Sequence, residues 1–366
     1  MLDAEERKGV GEVIDRLVSV PIYTGSSLTR RPVLLELYDA ARARFKDPLA
    51  FLAAEAIRER VKPGGSVLLT TGFIVPPWLR AETDGPVGAA CLARALNLCL
   101  DVTPVVVTER LITDMIPPVL RAAGFEVTPY AQAKQTYRRI AVEPFTNDPR
   151  KAKEQASEIL DRMKPSALIS IEKASPNEKG IFHSGVGYDI TPISAKVDVL
   201  VEEARSRGIL TIGIGDGGNE IGMGCIKDTI KKVLPTGAKC GCPCGAGTHS
   251  GIETDILVVC MVSNWGCTAI EANLALAFGR MEILHDRAME DKLLEEAASA
   301  GFIDPAAGMG MSSGDAIEKQ VHLAIVDILQ FIVKSRLQDS FYMFKYKEYV
   351  REKRDQIQVL IKNWRE

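Results

Sequence analysis

The sequence predicts an α/β protein: a doubly wound, mainly parallel sheet flanked by helices, with helical extensions at both ends. First, strand-like and helix-like segments alternate between residues 66 and 300. Second, the strand-like segments are apolar almost throughout, as in parallel sheets that are covered on both faces. Third, residues 5–18 and 32–61 carry apolar residues three and four positions apart, which predicts helices before the sheet.

The elements follow in order along the chain. Pro63, Gly64 and Gly65 end the second helix and lead into the first strand. The chain is expected to divide into an N-terminal helical segment packed on the core (1–62), an α/β catalytic domain (63–337) and a C-terminal helix (338–366). The predicted strands cover residues 66–71, 102–108, 125–129, 167–171, 209–214 and 255–262, and the predicted helices cover residues 114–123, 151–163, 192–207, 269–282 and 292–300.

The tail after residue 340 is charged and aromatic. Its Ile357, Leu360, Ile361 and Trp364 fall on one face of a helix. Such a face favours a helix that docks on the core or contacts another copy of the chain, so a homo-oligomer is expected.

Composition narrows the class of protein. The 366 residues are 46% hydrophobic, and the formal net charge of -3 leaves no basic excess for nucleic acid or an anionic membrane. The first residues lack the apolar segment of a signal peptide, and no apolar run approaches the ~18 residues of a spanning helix. Eight cysteines in so long a chain do not form a disulfide scaffold. We expect a cytoplasmic protein with a small-molecule substrate and neither nucleic acid nor membrane as partner.

One glycine-rich run carries the strongest chemical signal. Residues 213–224 read Gly-Ile-Gly-Asp-Gly-Gly-Asn-Glu-Ile-Gly-Met-Gly and overlap the end of an apolar strand-like segment. Its six glycines let the main chain take positive φ and approach a ligand closely. The carboxylates of Asp216 and Glu220 are poorly placed to cradle a phosphate alone and well placed to hold a hard cation.

Other acids leave strand ends of the same predicted sheet. Glu82 and Asp84 share a loop with glycine and proline, and Glu172 directly follows an apolar strand. Such strand ends meet at one edge, where converging carboxylates must be protonated, paired with bases or bound to metal. Basic residues are sparse in these loops, and the nearest are Arg80 and Lys173. A divalent cation with oxygen ligands, Mn²⁺, Mg²⁺ or Ca²⁺, is therefore the simpler explanation. Either acidic pair alone is more typical of a turn or a helix cap.

Two further motifs are weaker. Gly213, Gly215 and Gly218 match the dinucleotide spacing G-x-G-x-x-G, but an acid lies inside the loop and no acid ends a second strand about 20 residues on. Residues 310–314 match the nucleophile elbow G-x-S-x-G, but no strand precedes them and His322 follows too soon to be a triad base. Nicotinamide binding and serine catalysis are therefore disfavoured.

A thiol-rich run at residues 240–244, Cys-Gly-Cys-Pro-Cys, leaves two interpretations open. It could bind zinc or serve redox chemistry, or it could be a glycine-rich loop with incidental thiols, because C-x-C-x-C is not the C-x₂-C knuckle of common zinc sites. The residues that could join it are Cys225, His249, Cys260 and Cys267.

The histidines give weaker functional signals than the acids and the thiols. His183 lies in a glycine-rich loop and is a candidate base or substrate donor. His285 and His322 fall in predicted helical regions and are expected to be structural.

The motifs together resemble one family. Thr71-Gly-Phe, Glu82-Thr-Asp-Gly-Pro-x-Gly, Ile171-Glu, Gly215-Asp-Gly-Gly-Asn-Glu-Ile-Gly-Met-Gly and Ser263-Asn-Trp-Gly, in this order, resemble the D-glutamate cyclase C-terminal-domain family. The segment beginning Gly-Asp-Gly-Gly-Asn-Glu is the most specific. The resemblance implies a hydro-lyase that cyclises free D-glutamate to 5-oxo-D-proline with loss of water, assisted by Mn²⁺ or Mg²⁺.

The resemblance also implies a ligand set. A further acid near the start of a following helix looks family-like, and Asp198 is favoured over Asp189 for it. The chain departs from the family at Lys173, where Arg-x-Gly is usual, at Cys225, where lysine is usual, and in the thiol-rich insert between residues 239 and 254. The implied metal ligands are Glu82, Asp84, Glu172, Asp198, Asp216 and Glu220.

A mechanism follows as a hypothesis. The cation neutralises the γ-carboxylate of glutamate, and Asp216 or Glu220 takes a proton from the substrate ammonium. The rival function is a Mn²⁺- or Mg²⁺-dependent phosphatase acting on small phosphorylated metabolites, because it needs the same acids. The substrate-binding candidates are Gly72, Phe73, Asn219, Ser263, Asn264 and Trp265.

Overall fold

A seven-stranded sheet organises the molecule. The computed structural model describes residues 2–24, 33–338 and 341–364. The strand order is β5-β6-β4-β1-β7-β8-β9, and a separate antiparallel pair joins β2 to β3. The strands are β1 (Ser66–Thr70), β2 (Ile74–Val75), β3 (Arg80–Ala81), β4 (Thr103–Glu109), β5 (Glu126–Val127), β6 (Arg139–Phe145), β7 (Ala167–Ile171), β8 (Leu210–Gly215) and β9 (Ile256–Val259).

All neighbours in the large sheet pair in parallel, which confirms the predicted doubly wound fold. On one side of β1 the sheet continues through β4 and β6 to β5 at the edge. The later strands β7, β8 and β9 lie on the other side of β1. The direction of winding therefore reverses between β1 and β7, where Thr70 pairs with Ser170. Ligands of such sheets bind beyond the carboxyl ends of the strands at this point.

Helices cover both faces of the sheet, because successive strand residues point to opposite sides. Val67 and Leu69 of β1 join the larger core, whereas Leu68 joins a second core with residues of α7 and α8. The helices are α1 (Ala4–Val18), α2 (Val33–Phe45), α3 (Leu49–Arg60), α4 (Pro86–Leu100), α5 (Ile116–Ala122), α6 (Tyr130–Ala133), α7 (Pro149–Met163), α8 (Val197–Ser206), α9 (Lys227–Val233), α10 (Ser263–Phe278), α11 (Arg287–Ser299), α12 (Lys319–Leu337), α13 (Phe341–Glu352) and α14 (Arg354–Asn363).

Helix α10 is the centre of the larger core. It contacts α1, α3, α4 and α12, and nearly all its residues are buried. Its alanines allow this close approach, and the first helices bury Ile14, Leu37 and Ile57 in the same core. The division of the chain at residues 62 and 337 remains a prediction. Among the described residues, no helix combines the length and the hydropathy that a membrane crossing requires.

The structure corrects several predicted boundaries. The single helix predicted over residues 32–61 is two helices, because Lys46 takes a φ of +67° and Pro48 precedes α3. Asp15 caps α3 by accepting from the N–H groups of Leu49 and, at 3.1 Å, Ala50. Strand β6 was not predicted, since its arginine, glutamate and proline interrupt the apolar pattern. The predicted C-terminal helix is the pair α13 and α14, and its Leu360, Ile361 and Trp364 are exposed.

Candidate functional site

Carboxylates that are buried, or half-buried in the case of Asp216, meet at the carboxyl ends of the central strands. Glu82 and Asp84 precede α4, Glu172 follows β7, and Asp216 and Glu220 follow β8. One oxygen each from Asp84, Glu172 and Asp216 lies within 4.8 Å of the other two. Glu82 and Glu220 interact electrostatically with these groups. Five of the six implied metal ligands therefore form one acidic cluster.

Asp84 is fixed by the start of α10. Its carboxylate accepts from the backbone N–H groups of Ser263 at 2.8 Å and Asn264 at 2.7 Å. In return the Asn264 amide oxygen accepts from the N–H groups of Gly85 and Gly88, at the start of α4. The N-termini of two helices thus cap each other, which satisfies donors that a helix leaves free and places Asp84 rigidly.

Close backbone approach explains the glycine after Asp84. Gly85 has a φ of +95°, and a Cβ there would lie 2.6 Å from Thr71 Oγ1 and 2.9 Å from the Glu172 Cβ. Only glycine tolerates both constraints. Glu172 itself has a φ of +42°, and its carboxylate accepts from the Ser263 hydroxyl at 2.7 Å.

The glycine-rich run after β8 holds Glu220. Its carboxylate accepts from the N–H groups of Gly217 at 3.0 Å and Gly218 at 2.8 Å. These are the donors that a bound pyrophosphate would need, so the loop is already satisfied by its own acid. This geometry agrees with the prediction that the glycine spacing does not indicate nicotinamide binding.

Sequence reasoning missed two further acids. Asp315 lines the same cavity as the cluster, and Asp304 accepts from the Ser313 hydroxyl at 2.7 Å and influences the pKa of Glu82. Both lie in the irregular segment between α11 and α12. The available signal was a Gly-Asp step at residues 314–315 beside the discounted nucleophile-elbow motif.

Burial raises the pKa of every carboxyl group in this cluster. The pKa of Glu82, Glu172, Asp216 and Asp315 lies well above its ordinary value, because burial and neighbouring carboxylates both disfavour ionisation. Burial raises the pKa of Asp84 to about 6 and of Glu220 to about 7, while backbone N–H groups offset part of the effect.

Among the described residues, no cationic side chain balances the cluster. None of the largest influences on these pKa values is a lysine or an arginine. Lys173 is buried but forms an ion pair with Glu109 and donates to the Gly72 carbonyl at 3.1 Å. Arg80 is exposed and lies beside Met115. Both bases that the sequence offered are therefore engaged elsewhere.

A cavity of about 670 Å³ opens onto the cluster. Its carboxylates are those of Glu82, Glu172, Asp216, Glu220 and Asp315, and much of the remaining wall is apolar, including Phe73, Ile74, Trp78, Val186 and Met261. Among the residues that the structure describes, no lysine, arginine or histidine lines it. An anionic ligand in this cavity would thus need a cation bound to the cluster.

Two predicted substrate residues line the cavity, and four do not. Phe73 and Asn219 are in its wall. The Trp265 indole donates to His322 Nδ1 at 2.9 Å and is buried away from the cavity. Gly72, Ser263 and Asn264 contact Lys173, Glu172 and the start of α4, as described above, and thus position the acidic loops.

Asp198 lies apart from the acidic cluster. It is in the first turn of α8, where burial raises its pKa to about 6 and the nearby Lys196 lowers it. The competing candidate Asp189 accepts from the Thr191 N–H at 2.9 Å. Neither acid is among the described residues that line the cavity or in the three-residue ligand group.

Comparison with known proteins identifies the class. The family model for the D-glutamate cyclase-like, C-terminal family matches residues 39–330. The chain therefore belongs to the D-glutamate cyclase-like C-terminal family, and the predicted resemblance is confirmed.

A curated relative gives the same assignment. The chain is 29% identical over 234 residues to a human protein called D-glutamate cyclase, mitochondrial, which covers 58% of this chain. The match takes in 33% of the human protein, so the chain spans about a third of that relative's length.

Proposed function

We propose that this protein cyclises D-glutamate to 5-oxo-D-proline with loss of water and that it depends on Mn²⁺ or Mg²⁺. Family membership and the human relative support the reaction class. One observation carries the metal dependence: buried carboxylates face a cavity with no cationic side chain among its described lining residues. Both carboxylates of free glutamate are negative, so an acidic cavity can hold them only through a bound cation.

The donor set fits a hard divalent ion. Asp84, Glu172 and Asp216 offer oxygen atoms close enough to share one ion. Mg²⁺ and Mn²⁺ prefer oxygen ligands, whereas the cluster has no thiolate or imidazole among these three ligands. When bound there, the ion would neutralise the γ-carboxylate of the substrate and stabilise negative charge that develops on it.

Glu220 is our choice for the base. It lines the cavity but lies outside the three-residue ligand group, and two backbone N–H groups fix its carboxylate. It would accept a proton from the α-ammonium, so that the amine nitrogen attacks Cδ. As the N–Cδ bond forms, the nitrogen loses a second proton, and a Cδ–O bond breaks. The departing oxygen takes up both protons that the nitrogen lost, one of them returned by Glu220, and leaves as water.

The remaining wall would orient the substrate and exclude bulk water. The Asn219 amide nitrogen donates to the His183 carbonyl at 2.9 Å and has a second N–H to offer the α-carboxylate. Phe73, Trp78 and Met261 provide an apolar surface. A folded, poorly hydrated glutamate gains from proximity, because the reaction closes a five-membered ring.

The test uses the full-length chain after chelation of its metal. It is incubated with D-glutamate, with L-glutamate and with a panel of sugar phosphates, each with and without added Mn²⁺. We expect 5-oxoproline from D-glutamate only when Mn²⁺ is present, measured by chiral chromatography. Phosphate release without 5-oxoproline would establish the rival phosphatase, and metal-independent turnover would refute the role given to the acidic cluster.

A further inference from the structure

A second group of metal-ligating side chains lies outside the acidic cluster. The thiol-rich run forms a tight loop, and the structure places a distant imidazole against it. All four ligand atoms lie within 4.8 Å of one another. We propose that this Cys₃His group binds one structural zinc ion. Its members are His183, Cys240, Cys242 and Cys244.

The ligand atoms lie within about 0.6 Å of the spacing that a tetrahedral zinc ion imposes. Cys240 Sγ lies 3.4 Å from Cys242 Sγ and 3.2 Å from Cys244 Sγ. His183 Nε2 lies 3.2 Å from Cys242 Sγ and 3.7 Å from Cys244 Sγ. Zinc with ordinary Zn–S and Zn–N bonds separates its ligands by about 3.8 Å between sulfurs and about 3.5 Å between sulfur and nitrogen. Three sulfurs and one nitrogen also select zinc over the hard cations that suit carboxylates.

The fourth ligand could not be found from spacing alone. The sequence suggested Cys225, His249, Cys260 and Cys267 as partners, and the structure engages three of them elsewhere. Cys225 contacts the Thr254 carbonyl, His249 Nδ1 contacts the Gly237 carbonyl, and Cys260 contacts the Gly215 carbonyl. Cys267 is buried near Gly88. The ligand comes instead from His183, about 60 residues earlier in the chain.

Two long irregular segments need such a link. Residues 172–196 and 234–255 contain no named helix or strand in the part of the chain that the structure describes. The small core under the first segment has only four buried apolar members, Phe73, Ala174, Phe182 and Ile190. Loops of this length are rarely ordered without an additional constraint, and a structural zinc supplies one.

Hydrogen bonds already align the two segments. The Asn177 amide donates to the Gly247 carbonyl at 2.8 Å, and Lys179 Nζ donates to the Cys244 carbonyl at 2.7 Å. A zinc ion with three thiolates and one imidazole carries a net charge of -1, which the Lys179 ammonium complements. These hydrogen bonds hold the two segments together and place a positive charge beside the loop.

The proposed zinc site would also support one wall of the cavity. The three residues after His183, Ser184, Gly185 and Val186, line the cavity. The His183 carbonyl accepts from the Asn219 amide, beside Glu220. Holding the His183 ring would therefore fix the main chain that faces the acidic cluster, whatever reaction occurs there.

The first experiment measures metal in the full-length protein purified under reducing conditions without chelator. We expect about one zinc per chain by elemental analysis, and its release when the thiols are blocked with a mercurial. Co²⁺ exchanged into the protein should give intense visible bands and sulfur-to-cobalt charge transfer. Co²⁺ in the acidic cluster would give no sulfur-to-cobalt charge transfer, because its ligands are all oxygen.

Variants assign the ligands. Cys242→Ser should remove the charge-transfer band and the tightly bound zinc. Cys99→Ser, the same change at a partly buried cysteine outside the group, should leave both unchanged. Hydrogen exchange should quicken at residues 177–190 and 237–249 when zinc is withdrawn, and elsewhere it should not.

Three outcomes would overturn the proposal. These are wild-type protein with all thiols reduced that binds neither zinc nor Co²⁺ through sulfur, full zinc retention by Cys242→Ser, and a disulfide within residues 240–244 in freshly purified protein. The wild-type cobalt spectrum decides the question even if the serine variant fails to fold. None of these readouts depends on cyclase activity, so failure of the proposed reaction would leave this test intact.

Discussion

Two regions of this protein bury several carboxylates, and they solve the resulting charge problem differently. Between α10 and α11, His285 lies between Glu271 and Glu290, with Nδ1 and Nε2 at 2.9 and 3.1 Å from their oxygens. Burial lowers the pKa of His285, but Cys91 and Glu271 raise it well above its ordinary value, which favours an imidazolium beside the two acids. The acidic cluster at the strand ends has no such partner among its dominant neighbours in the described part of the chain.

The difference separates a structural site from a functional one. A buried acid that carries its own cation is complete and needs nothing from solution. Several buried acids that share a cavity and have no cation remain protonated or recruit a metal, and either state differs from that of an ordinary surface carboxylate. Exposure to the cavity adds the second requirement for function, access for a ligand.

The largest expected effect comes from Asp216. Asp216→Asn keeps the shape but removes one ligand charge, and we expect kcat/KM for D-glutamate with Mn²⁺ to fall by about 1,000-fold, roughly 4 kcal/mol. Metal-free Asp216→Asn should unfold at the same temperature as metal-free wild type or higher, because the free-energy cost of burying this carboxyl among others has been removed. Wild-type kinetics, or a destabilised metal-free variant, would contradict the assignment.

The opposite pattern is expected at His285. His285→Gln leaves Glu271 and Glu290 buried without a cation, which should cost about 3 kcal/mol in the free energy of unfolding. Denaturant titration of the Mn²⁺-saturated protein measures this loss, while kcat/KM per folded molecule should not change. Adding Glu290→Gln should restore part of the stability. A double variant less stable than the single one would show that His285 is not the neutralising cation.

The pH dependence of stability should report on both regions, which act in the same direction. In the folded protein Asp84 and Glu220 have pKa values of about 6 and 7, whereas in the unfolded chain they return to their ordinary pKa values of 3.8 and 4.5. Between these values the folded carboxyl groups keep protons that the unfolded chain has released. The stability of the metal-free protein should therefore fall as pH rises from about 4 to above 7. His285 acts in the same direction, since its stabilisation is present below 6.5 and lost as pH rises through its raised pKa.

Added Mn²⁺ isolates the cluster from His285. At 100 times its dissociation constant the ion should add about 2.7 kcal/mol to the free energy of unfolding, measured by denaturant titration at pH 7.5. The gain should shrink towards pH 5, where protons compete for the same oxygens. A gain that is equal at both pH values, or that persists in Asp216→Asn, would place the ion elsewhere.

The sequence was sufficient for the features that follow from local pattern. Apolar runs located most of the parallel strands, and acids after three of them marked the edge where the site lies. Asp315 and the pairing of His183 with the thiol-rich loop depend on long irregular segments whose paths no periodicity encodes. The hold of Ser263 and Asn264 on Asp84 could not be predicted, because the predicted helix began at residue 269, whereas α10 begins at Ser263.

The smallest effect is expected for Asp198, whose surroundings are intermediate between those of the acidic cluster and those of the acids beside His285. It is a buried acid with one nearby cation, Lys196, and it lies apart from the cavity. Asp198→Asn should change kcat/KM and the Mn²⁺ concentration at half-maximal activity by less than about twofold, and the free energy of unfolding by less than about 1 kcal/mol. Stability at pH 7.5 should rise slightly if it changes, because burial raises the pKa of Asp198 to about 6 and its charged form is disfavoured. A loss of Mn²⁺ affinity comparable to that of Asp216→Asn would instead make Asp198 a ligand and require the start of α8 to move towards the acidic cluster.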